Sequence, residues 1–182
     1  MPLSTVLGAQ SLIKPGVCTT ATRPASPYTG QAIYDTTLLQ VLVWNGTVWA
    51  SVSPTAPTTA FVSGQQSTTS TSYVALTTAT AVTVTTGTSA LVVASARLIN
   101  TSTNYEAIMS YAVSGATTVA ASDNYLATFA ESDTAASAGC TGTLFYVHTG
   151  LTAGSNTFSL QFRVAVGGTA YFASRRITVF PL

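Results

Sequence analysis

Asn156-Thr157-Phe158-Ser159-Leu160-Gln161-Phe162-Arg163-Val164-Ala165-Val166, then Gly167-Gly168, then Thr169-Ala170-Tyr171-Phe172-Ala173-Ser174-Arg175-Arg176-Ile177-Thr178-Val179-Phe180 is the stretch that decides the fold. Phe158, Leu160, Phe162, Val164 and Val166 fall on one side of an extended chain, and Ser159, Gln161, Arg163 and Ala165 on the other. That two-residue period belongs to a half-buried strand. Tyr171, Ala173, Arg175, Ile177 and Val179 take alternate positions in the second run. Gly-Gly between two such runs is a hairpin signal, so the sequence predicts that they pair antiparallel. Arg175 and Arg176 then face opposite ways, at a plain surface or, for one of them, opposite an acid at a subunit contact.

Six further runs precede these two: Ser72–Thr77, Thr80–Thr85, Ser89–Ile99, Tyr105–Val113, Tyr125–Glu131 and Thr141–Thr149. Gly, Asn, Ser and Thr clusters separate them. Eight runs at this spacing predict an all-β fold, an antiparallel, jelly-roll-like β-sandwich over residues 59–182. No run shows a 3.6-residue period with caps at both ends, so helix should be nearly absent. Ser53-Pro54-Thr55-Ala56-Pro57-Thr58 reads as a Pro-punctuated connector, stiffer than a Gly/Ser linker, that tends to hold its flanks apart.

Residues 1–52 read differently. Pro2, Pro15, Gly16, Pro24, Pro27 and Gly30 punctuate an extended arm with no sustained period. Gln31–Asp35, Leu39–Trp44 and Thr47–Val52 then read as three short strands, with Asn45-Gly46 as a type I′ turn that brings Trp44 and Trp49 together. Ile33, Tyr34, Leu42, Trp44, Val48 and Trp49 lie on too few strands to bury both faces. They are therefore candidate attachment residues, the alternative being that this sheet docks on its own sandwich.

Composition narrows the function. Of 182 residues only 6% are charged, six Lys+Arg against five Asp+Glu, while 34 are Thr and 20 Ser. β-Branched, hydroxyl-rich composition suits a pleated, half-buried surface. A net charge of +1 provides no field for phosphate or anionic lipid, so nucleic-acid and membrane partners are not expected. The opening residues lack the basic n-region and the apolar length of a signal peptide, so synthesis and folding in a cytosol are expected. Cys18 and Cys140 read as small idle thiols.

Catalytic groups are scarce. His148 is the only histidine; it alternates with apolar residues in Phe145-Tyr146-Val147-His148-Thr149 and reads as an ordinary strand residue. Asp123, Glu131 and Asp133 form one acidic cluster, without the regular ligand spacing of calcium loops, and read as a solvated loop. No Cys/His pair has zinc spacing and no Gly-rich loop follows a strand to open a helix. No enzyme and no cofactor are expected.

One segment carries a resemblance. Cys18-Thr19-Thr20-Ala21-Thr22-Arg23-Pro24-Ala25-Ser26-Pro27-Tyr28-Thr29-Gly30-Gln31-Ala32-Ile33-Tyr34-Asp35-Thr36, running into Val41-Leu42-Val43-Trp44-Asn45-Gly46-Thr47-Val48-Trp49, resembles a module recurrent in virion proteins of tailed bacteriophages, TRPxxPxxGQxIYxT followed by VWNGxxW. The last two strands, through Pro181-Leu182, resemble the end of phage jelly-roll domains. Thr36-Thr37-Leu38-Leu39 departs from the polar turn found there, which suggests a turn buried against a partner. The resemblance implies a virion protein made in the host cytoplasm, usually a homotrimer, with Arg23 joining the attachment residues. It does not separate roles within the particle; the first is a capsid decoration (cement) protein seated on the major capsid protein or another virion protein. The alternative is a minor tail or short fibre protein with a receptor-binding C-terminal domain. The absence of a long shaft between the two parts favours decoration. A secreted carbohydrate-binding sandwich is the remaining class.

Overall fold

The computed structural model describes residues 15–52, 55–101, 105–130 and 139–182. The chain divides into two compact units, Met1–Pro54 and Thr55–Leu182. Strands dominate both, and the only helical element among the described residues is one 3₁₀ turn at Thr20–Thr22.

The N-terminal unit is a four-stranded sheet in the order β1-β2-β3-β4, formed by Gly16–Cys18, Ala32–Asp35, Gln40–Trp44 and Trp49–Ser51. The three expected strands are present, and a fourth emerges from the supposed arm. β1 lies parallel to β2, with Gly16 opposite Ile33 and Cys18 opposite Asp35. Three residues are too short to show a period, so only their partner reveals them. The turn after Trp44 also differs from the expected type I′. Trp44 pairs directly with Trp49, leaving a four-residue loop. The Asn45 side-chain oxygen accepts bonds from the N–H groups of Thr47 and Val48, both at 2.9 Å. This side-chain closure replaces a turn that needs φ > 0 at two positions, and here only Gly46 has it, at +102°. The two Trp rings meet edge to face with centroids 5.6 Å apart.

The C-terminal unit holds nine strands: β5 Thr58–Val62, β6 Gln66–Thr68, β7 Ala81–Thr86, β8 Ser89–Asn100, β9 Glu106–Gly115, β10 Ala127–Ala130, β11 Gly139–Thr149, β12 Gly154–Val164 and β13 Ala170–Pro181. One sheet runs β11-β8-β13-β5, with β6 also on β13, and the other β10-β9-β12-β7. All pairs in this unit are antiparallel. Successive strands from β7 to β13 change sheet at every connection except β9 to β10, which is jelly-roll wrapping. The expected run Ser72–Thr77 holds only a single bridge, Val74 to Phe162, while β5 and β6 are strands beyond the eight expected runs.

Wrapping overturns the predicted hairpin. β12 pairs with β7 and β9, and β13 with β5, β6 and β8, so the two face each other across the core. Gly167 and Gly168, at φ +56° and +74°, carry the chain from one sheet to the other. Phe162 and Phe172 meet between the layers with centroids 4.5 Å apart. A two-residue period says which way side chains point and leaves open which strand is the neighbour. The core gathers Phe158, Leu160, Phe162 and Val164 of β12 over the small residues Ala90, Ala94 and Ala96 of β8, all nearly inaccessible. Val166, assigned to that same face, is exposed beyond the strand end.

A bulge corrects the second run. The β13–β8 register slips between Ala173 and Arg176, where Ser174 takes φ +50°. Tyr171 and Ala173 therefore point outward, whereas Arg175, Ile177 and Val179 point in. Arg175 is 0% exposed, not a surface residue. Its guanidinium donates to the carbonyls of Thr78 at 3.1 Å and Gly64 at 3.4 Å, and lies over the Phe162 ring. Burial pushes its pKa down. Arg176 stays exposed over Phe61.

Candidate assembly surfaces

The resembling segment builds a lock around Asp35. This side chain is fully buried, and its Oδ2 accepts from Arg23 Nε at 2.8 Å and Thr20 Oγ1 at 3.0 Å. Its Oδ1 accepts from the N–H groups of Thr37 at 2.8 Å and Leu38 at 3.1 Å. Burial works against ionisation, but Arg23 and the Leu38, Thr20 and Thr37 donors outweigh it and hold the carboxyl below its ordinary range. Thr36 donates through both N–H and hydroxyl to the Cys18 carbonyl, and Gly30 N–H to that of Trp44. Arg23, Gly30, Asp35 and Thr36 are thereby given to the frame of the unit.

The other candidates separate by exposure. Ile33 and Leu42 are cross-strand partners, each buried. Tyr34, Trp44 and Trp49 are half-buried, and Val48 is exposed. Four residues not singled out as attachment candidates are also exposed: Val17 and Tyr28, and, at the β2–β3 turn, Leu38 and Leu39. Leu39 is 72% exposed at φ +55°. A left-handed L-residue costs about 1–2 kcal/mol, and strain of this kind concentrates where structure serves function. The departure of Thr36-Thr37-Leu38-Leu39 from a polar turn was the signal for it.

In the C-terminal unit an apolar surface comes from register. Phe145 of β11 lies opposite Val93 of β8, and Val147 opposite Leu91. Leu91 in turn lies opposite Phe180 of β13. Five apolar side chains thus share the outer face of one sheet across three adjacent strands, with Phe145 70% exposed and Val147 51%. Thr178 and Thr59 continue it, bonded hydroxyl to hydroxyl at 2.9 Å. β11 is an edge strand of 11 residues with neither charge nor proline. Edges left without such protection invite pairing or coverage.

Two titratable clusters complete the picture. His148 is buried, with Nδ1 2.9 Å from the Tyr111 hydroxyl, among Tyr111, Tyr125 and Tyr146. Burial holds its pKa below the ordinary 6.5. The unfolded chain then takes up a proton that the folded unit refuses, so stability is complete above about pH 6.5 and falls as pH drops toward the lower folded pKa. Urea midpoints measured from pH 8 downward should fall below that point, and His148→Gln should flatten the limb. Asp123, exposed, is held by Arg163 Nη2 at 2.9 and 3.0 Å and accepts from the Tyr73 hydroxyl at 2.7 Å. Tyr73 and Arg163 keep its carboxyl ionised below the ordinary range. Glu131 and Asp133 lie outside the described residues. Among the described residues no three His, Cys, Asp or Glu side chains gather to hold a metal, and Cys18 and Cys140 are free thiols.

No family model and no curated protein matches the chain. Among solved structures it is similar to the VP2 subviral particle of infectious bursal disease virus, at 13% identity over 87% of this chain and 41% of that chain, with a TM-score of 0.49. The Gx strain of the same virus is matched at 13% identity over 76% of this chain and 36% of that chain, TM-score 0.45. Eiger TNF from S. frugiperda is matched at 10% identity over 68% of this chain and 93% of that chain, TM-score 0.38. The chain thus spans well under half the length of the two viral chains it is similar to.

Proposed function

We propose that the chain is a structural subunit of a tailed-bacteriophage virion, made in the host cytoplasm and carried on the particle. It acts as a capsid decoration protein: the N-terminal unit grips the major capsid protein or a neighbouring virion protein, and the jelly roll is a homotrimeric knob. The observation that carries this reading is the outer face formed by Leu91, Val93, Phe145, Val147 and Phe180. Such a contiguous exposed cluster marks a surface that is covered in use. Self-association suits it, because the surrounding surface is rich in hydroxyls, whose burial costs less than that of ions. The resemblance over Cys18–Trp49 supports the attachment role, and the role requires no catalysis and no cofactor.

A second reading, a minor tail or short fibre protein, draws support from the polar depression around Asp123 and Arg163, which could serve a receptor. Electron microscopy of virions labelled through the C-terminal unit separates the two. Label on the head lattice is the expected result. Label at the tail would replace the first reading with the second, and particles without label would overturn both.

A further inference from the structure

We propose that the depression around Tyr73, Asp123 and Arg163 binds a neutral saccharide. It is a shallow depression, open to solvent, of about 540 Å³, otherwise lined by Thr71, Ser72 and Ser122, with Ala121. That volume falls within the roughly 300–1,000 Å³ of small-ligand sites.

Its chemistry selects the class. The Arg163 guanidinium and the Asp123 carboxylate cancel, so no net charge remains to favour a free anion or cation. What remains is an acceptor beside a donor. A carboxylate has about four lone-pair positions, and Tyr73 with Arg163 leaves one oxygen of Asp123 partly unused. Arg163 has five N–H donors and commits only Nη2 to Asp123, with Nη1 on the Val164 carbonyl at 3.4 Å. An adjacent acceptor and donor match vicinal sugar hydroxyls, each of which gives one proton and accepts another. The serine and threonine hydroxyls extend that pattern.

The groups are also held in place before any ligand arrives. Arg163 sits on β12 and stacks on the Tyr73 ring at 5.2 Å. The Tyr73 phenol, pushed up to about 12 by burial and the Asp123 carboxylate, remains a donor throughout the physiological range. Polar groups fixed by their contacts with one another, with Arg163 on a strand, lower the ordering cost of binding.

This inference does not depend on the virion reading, since binding can be measured on the isolated full chain. The probes are neutral hexose and N-acetylhexosamine oligosaccharides on a glycan array, with hits followed by saturation-transfer NMR and titration. At least one should bind, and Asp123→Asn should weaken it about ten-fold at an unchanged melting temperature. Tyr73→Phe, which keeps the ring and loses only the hydrogen bond that positions Asp123, should weaken it less. No binding across the array, or binding unaffected by Asp123→Asn, overturns the proposal. So does inorganic phosphate competing as well as the sugar.

Discussion

Replacing Phe145 and Val147 together with lysine is expected to convert the assembled protein into folded monomers. Both side chains project from the edge strand β11 into solvent, so neither supports the core of its own unit. Surface substitutions of that kind change stability by only about 0.5 kcal/mol. In the proposed trimer they would be central anchors, each worth about 2 kcal/mol or more when desolvated. Losing two such anchors raises the dissociation constant of each interface by roughly 1,000-fold. Lysine is chosen because Arg97 and Arg176 already lie exposed on this face, so added cations repel between copies, as lysines do on natural sheet edges. Sedimentation at micromolar concentration should show the parent as a trimer and the variant as a monomer with an unchanged far-ultraviolet spectrum. Because the face carries few charges, moderate salt should leave the parent assembled. A parent that is monomeric at that concentration, or that salt alone dissociates, would remove self-association from the proposed function.

That surface illustrates what a single sequence withholds. Phe145 and Val147 alternate visibly in the chain, yet the patch exists only because Val93, Leu91 and Phe180 stand beside them, set by register across β11, β8 and β13. Alternation along one strand carries no such information. The same gap explains Gly167-Gly168, where local chemistry suits a tight turn and the jelly roll uses it to change sheets. It explains Arg175 differently: one inserted residue at Ser174 reverses the phase of everything beyond it, and a bulge has no reliable sequence mark. β5 has no clear mark in the sequence, because Thr58-Thr59-Ala60-Phe61-Val62 follows Pro57 and carries little apolar contrast. Tyr73, Asp123 and Arg163 are 40 and more residues apart, so only the fold assembles them. Where signals were local they were legible. The period of β12, the meeting of Trp44 with Trp49, and the all-β class follow from side-chain chemistry within a few residues. In the N-terminal unit the apolar turn at Leu38-Leu39 was visible as an anomaly, whereas the Arg23–Asp35 lock needed contacts twelve residues apart.

The other large effect concerns attachment. Deleting residues 1–52 should leave a C-terminal unit that folds and self-associates, because its core is drawn wholly from Leu76 to Val179 and closes between its own two sheets. Incorporation into virions should nonetheless collapse. A deletion alone cannot say which feature of the N-terminal unit grips the particle, and Leu39 supplies the finer test. Leu39→Gly removes the side chain and also frees the backbone at φ +55°, where glycine is at ease and leucine is not. The substitution should therefore leave the N-terminal unit as stable as before, or more stable by about 1 kcal/mol. If the turn is the contact, burial of one leucine worth about 1.5–3 kcal/mol is lost, and occupancy on particles at limiting concentration falls by ten-fold or more. Stability and attachment thus move in opposite directions, which a merely structural leucine cannot produce. Leu38→Ser, at the neighbouring exposed position, should lower attachment in the same sense. The readout is copy number per particle after mixing purified variants with virions lacking the protein, beside thermal melting of each variant. Normal decoration by the deleted chain would place attachment in the jelly roll. Normal decoration by Leu39→Gly with loss only on deletion would move the contact to the sheet around Trp44 and Trp49.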